Sequence, residues 1–341
     1  MQRVLVVLPN WYGDTLFATP LLRQLGQLHP KLFVATFGWA QSHDILTHNP
    51  WVDRMVDYPE RRIRANPVQA LGVIARIRAV RCDTALILRK SLSRTVLIAL
   101  AGVSERVGVD NPKSGWLLTR RVAPPLATIH RAASYLSLLE AVGVAAALEP
   151  YEYVVGEEEH QTADERLGFL TGSARAPLVV LHPAANWAHK RWAPQRYAAL
   201  GDRLVTDLRA QIVITGGPGD VALAESIQQG MRHPAIVLAG RTTLRELAAC
   251  LERARLVVSN DTGVLHVAAA LRRPIVGLYG PTSPGVTGPL GDPQRIVVLH
   301  HAQCCPQIPC YDSNHPPHLG MDSISVDEAY NAAQQLLKLE I

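Results

Sequence analysis

The chain has 341 residues, 48% of them hydrophobic and 18% charged, with a formal net charge of +5. At roughly 100–200 residues per domain this length favours two domains, and the composition suits a globular α/β protein without a low-complexity tract. No run of about 18 uninterrupted apolar residues occurs, so a membrane span is not expected.

The charge is uneven. Residues 1–150 hold 18 Lys+Arg against 10 Asp+Glu, a net of +8, while residues 151–341 hold 16 against 19, a net of −3. Either the excess is solvated surface or the first half meets something anionic. Five cysteines with no even framework suit a reducing compartment. The opening "MQRVLVVLPNWYGD" has too short an apolar run for a secretory signal and reads as a buried strand, which points to the cytoplasm.

Short apolar, β-rich runs then alternate with helical patterns. In the first half they are Val4–Leu8, Leu32–Thr36 and Thr84–Leu88. In the second they are Leu178–Leu181, Gln211–Thr215, Ala235–Leu238, Leu256–Ser259 and Ile275–Tyr279. Segments such as Pro194–Leu208 and Leu244–Arg253 carry apolar residues at helical spacing between them. This alternation predicts parallel sheets with helices on both faces. The polar stretch 154–177 holds one helix and the linker between two such units, and "SVDE" caps a final helix over Ser325–Leu339.

In open parallel α/β sheets ligands bind beyond the carboxyl ends of the strands. In the first half, Asp14 of "PNWYGD" follows the first strand, as a helix cap or as a general base. Arg61, Arg62 and Arg64 of "ERRIRANP", and later Arg120, suit phosphate or carboxylate recognition. In "HPAANWAHKRWAP", Lys190 and Arg191 supply a phosphate-neutralising cation or simply a basic exposed turn. In "GGPGD", Gly216 and Gly217 allow close backbone approach and Asp220 suits a ribose hydroxyl pair, although an ordinary turn explains the motif equally well. In "AGRTTLREL", Thr242 or Thr243 caps a helix, which is enough to explain both threonines, although the backbone there is also placed to line a base pocket.

"NDTGVLHVAAALRRP" places Asp261, Thr262 and Gly263 where a helix begins. Unpaired N–H groups and the dipole make that end an anion site. Gly263 permits approach, Thr262 adds a hydroxyl, and His266 lies one turn on. Asp261 would repel a phosphate, so it fits orienting donors or taking sugar hydroxyls. A plain cap with a buried His266 is the alternative. "GPTSPGVTGP" repeats the Gly-Pro-Thr chemistry at another strand end, and together these loops point to one large, phosphate-bearing ligand.

G-x-G-x-x-G after the first strand, G-x-x-x-x-G-K-[ST] and G-x-S-x-G are all absent, and no RNA-binding aromatic motif stands out. No nucleic-acid partner is expected. Cys305, Cys310, His315 and His318 are metal-ligand types, but their spacing matches no standard zinc pattern, and a Pro-rich surface loop is the simpler reading.

These segments resemble glycosyltransferase family 9, the ADP-heptose:lipopolysaccharide heptosyltransferases. "LPNWYGDTLFATPLLRQL", "HPAANWAHKRWAPQRYAAL", "GGPGD" and the stretch from "LAGRTTLREL" through "GPTSPGVTGP" carry the likeness along nearly the whole chain, and "PNWYGD" is closer to the heptosyltransferase II type. The resemblance implies a GT-B fold, in which two Rossmann-like, doubly wound parallel-sheet domains face a central cleft. The first would span 1–158 and bind the acceptor, with the helix at 325–341 packed back onto it. The second would span 159–324 and bind the nucleotide-sugar. It implies diphosphate contacts from Lys190, Thr262, Gly263 and His266, a donor-sugar contact from Asp261, and a ribose-binding acid near Asp220. It implies a base at Asp14 and, loosely, an acceptor surface at Arg61, Arg62, Arg64 and Arg120. The implied activity is inverting transfer of heptose from ADP-heptose to an anionic, lipid-linked inner-core saccharide of lipopolysaccharide, without a metal or other cofactor, at the inner face of the inner membrane. A transferase with another donor or acceptor, a non-catalytic nucleotide-sugar binder and an epimerase of the same shape are the competing classes.

Overall fold

A computed structural model describes residues 1–167, 176–302 and 319–338. The chain divides into two compact units, Met1–Val154 and Val155–Ile341, against the expected break between 158 and 159.

The first unit holds β1 (Arg3–Val7), β2 (Phe33–Gly38), β3 (Arg54–Asp57), β4 (Thr84–Ile87), β5 (Glu105–Val109) and β6 (Arg120–Val122). They form one parallel sheet in the order β3-β2-β1-β4-β5-β6. β1 lies at its centre, with Val4 paired to Val34 on one side and to Thr84 on the other. Helices cover both faces of such a sheet, so its central strands are continuous apolar runs, and Val4 to Val7 are wholly buried.

The second unit holds β7 (Leu178–His182), β8 (Gln211–Ile214), β9 (Ile236–Val237), β10 (Leu256–Asn260), β11 (Ile275–Tyr279) and β12 (Ile296–His300). Its parallel order is β12-β11-β10-β7-β8-β9. Counted within each unit, both sheets read 3-2-1-4-5-6, the doubly wound order. In each, the winding reverses between the first and fourth strands. Those strands are β1 and β4 in one unit, β7 and β10 in the other. Both sheets carry strands that the sequence does not predict: β3, β5 and β6 in the first unit and β12 in the second, of which β3, β6 and β12 are sheet edges.

The final helix, Val326–Lys338, departs from the expectation drawn from the resemblance. It packs on the helix Pro194–Leu208 and on β10 and β11, within the second unit. Ala329, Tyr330, Ala333, Leu336 and Leu337 join the core around Trp192 and Tyr197. Its apolar stripe matches that core, and Arg203 stacks 3.8 Å over the Tyr330 ring. The predicted cap is present: Ser325 N donates to Glu328 Oε2 at 2.8 Å, and Glu328 N to Ser325 Oγ at 3.1 Å. Within the polar stretch at 154–177, the helix Glu157–Leu167 packs on Leu244–Glu252. Arg245 pairs with Glu159, and Arg253 Nε donates to Asp164 Oδ1 at 2.8 Å. Among the described residues no helix is long and apolar enough to cross a membrane.

Candidate active site

The winding reversal of the second unit separates the loops that leave β7 and β10, and opens a crevice at the strand ends. Asp261 follows β10, and the helix Gly263–Ala270 starts two residues later. Thr262 is its N-cap in extended conformation, without a side-chain cap bond, so the first-turn N–H groups face the crevice unpaired by that side chain. Lys190 arrives from the loop after β7. Its Nζ donates to Asp261 Oδ2 at 2.6 Å and to the Asp261 carbonyl at 3.4 Å, and sits 5.2 Å from the Trp187 ring centroid. Thr282, from the loop after β11, donates to the same Oδ2 at 2.6 Å. His266 Nε2 lies 3.8 Å from Oδ1.

Asp261 is 6% exposed. Burial alone would raise its pKa, but the His266 ring and the Lys190 ammonium overcome that and hold the carboxyl well below the usual carboxylate range. The carboxylate therefore stays ionised and anchors a cation at a helix start. The resemblance assigns Lys190, Thr262, Gly263 and His266 to a diphosphate and Asp261 to the donor sugar, and the structure brings all five together. Of the two readings of Asp261, orienting donors or taking sugar hydroxyls, the structure shows the first kind of contact: its Oδ2 accepts from both Lys190 and Thr282, which makes it an anchor for the lysine.

Asn260, wholly buried at the end of β10, fixes the lysine-bearing loop. Its Nδ2 donates to the Pro183 carbonyl at 2.7 Å, and its Oδ1 accepts from Tyr197 Oη at 3.0 Å and from Trp192 N at 3.3 Å. Both ends of the segment that holds Lys190 are thus tied to one side chain. Beside it, His182 Nδ1 lies 2.9 Å from Thr215 Oγ1, and burial pushes the His182 pKa down to about 4.

The remaining donor-side residues sit at neighbouring strand ends. Asp220 Oδ2 accepts from Gly217 N at 3.0 Å and its Oδ1 lies 3.4 Å from Arg191 Nη2, so local capping already engages the acid expected at a ribose. At Gly216 a Cβ would stand 2.8 Å from Asp220 Cβ, which explains the glycine by packing alone. Thr243, not Thr242, caps the helix Leu244–Glu252 in a reciprocal pair with Glu246. Thr242 stands half-buried one residue ahead of it. Cys305, Cys310, His315 and His318 lie outside the described residues.

The first unit has its own crevice. Asp14 lies in the first turn of the helix Tyr12–Leu16, whose N-cap is Trp11, so Asp14 is not the cap. Burial raises the Tyr135 hydroxyl well above its ordinary value, the Asp14 charge adds to this, and Arg131 and Arg89 oppose it, which places all four in one neighbourhood. Arg94, 1% exposed, supports the loop before Asp14: Nη1 donates to the Leu8 carbonyl at 2.6 Å and Nη2 to Asn10 Oδ1. Its guanidinium lies 4.7 Å from the Tyr58 ring centroid, and burial pushes its pKa down to about 10. Arg61, Arg62 and Arg64 stand exposed on the helix Glu60–Ala65, beyond the carboxyl end of β3. An apolar hollow lined by Tyr58, Ile63, Leu92 and Val96 adjoins that helix. Arg120 does not join them. It opens β6 at the amino ends of the strands, paired with Glu105 at 2.9 Å, because β6 runs parallel to β5.

Sequence reasoning missed Thr282, Asn260, Arg89, Arg94, Arg131 and Tyr135. Thr282 and Asn260 stood inside motifs already singled out. The other four have no local signal, since only the fold brings residues 89 to 135 beside Asp14.

Comparison with known proteins agrees with this geometry. The sequence model described as glycosyltransferase family 9 (heptosyltransferase) matches residues 71–316. The lipopolysaccharide heptosyltransferase 2 of Salmonella typhimurium (strain LT2) is 28% identical over 313 residues, covering 87% of this chain and 88% of that protein. The crystal structure of a family 9 glycosyltransferase from Veillonella parvula superposes with a TM-score of 0.87 at 24% identity, over 100% of this chain and 98% of that one. The ADP-heptose lipopolysaccharide heptosyltransferase II of E. coli gives 0.82 at 24% identity, over 99% of each chain. These likenesses agree with the GT-B type of fold. With a cation anchored at a helix start on a doubly wound sheet, and a family model that spans most of its length, the chain belongs to glycosyltransferase family 9 and is a glycosyltransferase of the heptosyltransferase kind.

Proposed function

We propose that the enzyme transfers a heptose from ADP-heptose to an anionic, lipid-linked inner-core saccharide of lipopolysaccharide, with inversion at the anomeric carbon. The observation that carries this reading is the Lys190 ammonium held by Asp261 at the start of the helix Gly263–Ala270, an arrangement suited to a diphosphate. The donor and acceptor named for the similar E. coli and Salmonella proteins support the same choice.

In the proposed step Asp14 takes the proton of the acceptor hydroxyl. The hydroxyl oxygen bonds to the anomeric carbon from the face opposite the diphosphate, through an oxocarbenium-like transition state. The bond between that carbon and the diphosphate oxygen breaks, and ADP leaves with the electron pair. Lys190 and the N–H groups at Thr262 and Gly263 stabilise the charge that builds on the leaving group. Lys190 and the helix start do the work a divalent cation does elsewhere, so the scheme calls for no metal or other cofactor, and turnover is expected to persist in excess chelator.

The test is incubation with ADP-heptose and a heptose-deficient acceptor, read by ADP release and by the mass of the product. A gain of one heptose with inverted configuration is expected. Hydrolysis of the donor alone, or transfer only from another nucleotide-sugar, overturns the reading.

The first unit is proposed to rest on the inner face of the inner membrane, on its cytoplasmic side. Arg61, Arg62 and Arg64 complement anionic headgroups, Val68 and Leu71 are exposed apolar residues that follow them in sequence, and exposed Leu92 lines one hollow with Ile63. Flotation with anionic but not zwitterionic vesicles is the expected result, and equal recovery from both overturns it.

A further inference from the structure

We propose that Thr282 is a positioning residue: through Asp261 it aims the Lys190 ammonium at the donor diphosphate. The inference rests on the reading of Lys190 as the diphosphate cation.

Three adjacent strand ends meet at Asp261. β10 supplies the carboxylate, β7 the lysine and β11 the threonine, and the sheet order β11-β10-β7 puts the acid in the middle. Asp261 N donates to the Leu278 carbonyl at 3.1 Å, so its backbone is fixed. The carboxylate itself turns about a soft, broad torsion. Thr282 supplies the restraint. Its hydroxyl, in a residue 5% exposed, donates to Oδ2 at 2.6 Å, the length of a charge-assisted O–H···O⁻ bond. Oδ2 is the oxygen that also takes Lys190 Nζ, at 2.6 Å, while Oδ1 faces His266. Removing the hydroxyl leaves only His266 and Lys190 itself to hold the carboxylate, which loosens the lysine's anchor.

The backbone ahead of Thr282 is built for the reach. At Gly280 a Cβ would stand 2.6 Å from Met321 Cγ and 3.3 Å from the carbonyl of His189, the residue before Lys190. Glycine lets the loop after β11 press against Met321 while it lies close to the lysine-bearing loop. Nζ has three N–H groups. Among the described residues Asp261 takes two of them, and the third remains for a ligand oxygen.

The experiment compares calorimetric affinities for ADP and adenosine in the wild type, Thr282→Val and Thr282→Ser, with thermal melting of each. Wild type is expected to bind ADP more tightly than adenosine. Thr282→Val is expected to lose about tenfold in ADP affinity, with adenosine affinity unchanged. Thr282→Ser, which keeps the hydroxyl, is expected to restore ADP binding. If the valine variant melts early, Thr282→Ala read against Thr282→Ser makes the same comparison. Equal weakening of ADP and adenosine marks a merely structural role and overturns the proposal. A wild-type preference for ADP that survives intact in Thr282→Val overturns it while leaving the diphosphate reading standing. Equal wild-type affinities for ADP and adenosine remove that reading and the proposal together.

Discussion

The two units share one strand order and one crevice position, yet their crevices have opposite character. In the second, the ammonium of Lys190 is matched by an ionised Asp261, and the surroundings are closed and polar. In the first, Arg94 is held by a backbone carbonyl and an amide oxygen and serves the loop behind Asp14. The surfaces differ as well. Among the described residues the exposed large hydrophobics Trp11, Val68, Leu71, Leu92, Trp116 and Leu126 all belong to the first unit, whereas Trp187 is the one that the second contributes. With the net charges of +8 and −3 for residues 1–150 and 151–341, the difference teaches that one sheet topology supports two recognition problems. In the proposed reaction the second crevice takes a compact, strongly charged leaving group, and the first an amphiphilic anion. Topology fixes where the site is, and side chains decide what it holds.

Substitutions that strike one crevice and spare the other test this division. The largest effect is expected at Asp14. Asp14→Ala should lower kcat by about 10²–10⁴-fold while calorimetry finds ADP affinity unchanged. Full turnover would remove Asp14 from the role of base, and a matching loss of ADP affinity would break the separation. Lys190→Met should weaken ADP binding and also leave Asp261 without its cation, at a cost of about 3 kcal/mol in denaturant unfolding. The double change with Asp261→Asn should recover stability but not ADP affinity. Recovery of both would show that the pair is structural only.

A pH titration of stability comes next. His182 has its folded pKa lowered to about 4 by burial, so the unfolded chain binds its proton first as the pH falls. Stability is full above roughly 6.5 and declines between there and about 4, by up to about 3 kcal/mol. Asp261, whose folded pKa is depressed, contributes stability above roughly 3.9 that is lost only at lower pH. His182→Asn should flatten the first window and leave the second. An unchanged slope between pH 6.5 and 4 would assign the loss to other groups. The smallest effect on the fold is expected from Val68→Ser with Leu71→Ser. Stability should shift by no more than about 0.5 kcal/mol per site, while recovery on anionic vesicles falls. Undiminished recovery would place the docking surface elsewhere.

Legibility of the sequence followed locality. β1, β4, β7, β8, β10 and β11 are apolar runs buried on both faces, and their pattern is visible without a partner. β3, with the sequence RMVD, and β6, with RRV, are edge strands with charged residues, so nothing local separates them from loops. β12, IVVLH, carries an apolar signal and is half-buried at an edge of the second sheet. In the site, Lys190, Asp261, Thr262, Gly263 and His266 were readable because strand ends and helix starts have fixed chemistry. The acceptor side was less so. Arg61, Arg62 and Arg64 stand at the carboxyl side of the sheet, but Arg120, alike in sequence, opens a strand at the other side.

By itself the sequence determined the α/β alternation, the two-unit division and the polar residues at the strand ends, because periodicity, turn chemistry and helix starts act over a few neighbouring residues. The tertiary structure alone decided which of those ends are neighbours. It carried Lys190 across 71 residues of chain to Asp261. It gave that carboxylate to the lysine and to Thr282, and seated the last helix on the second unit. Charge pairing and apolar packing depend on distance in space, and strand order, which no local pattern encodes, sets that distance.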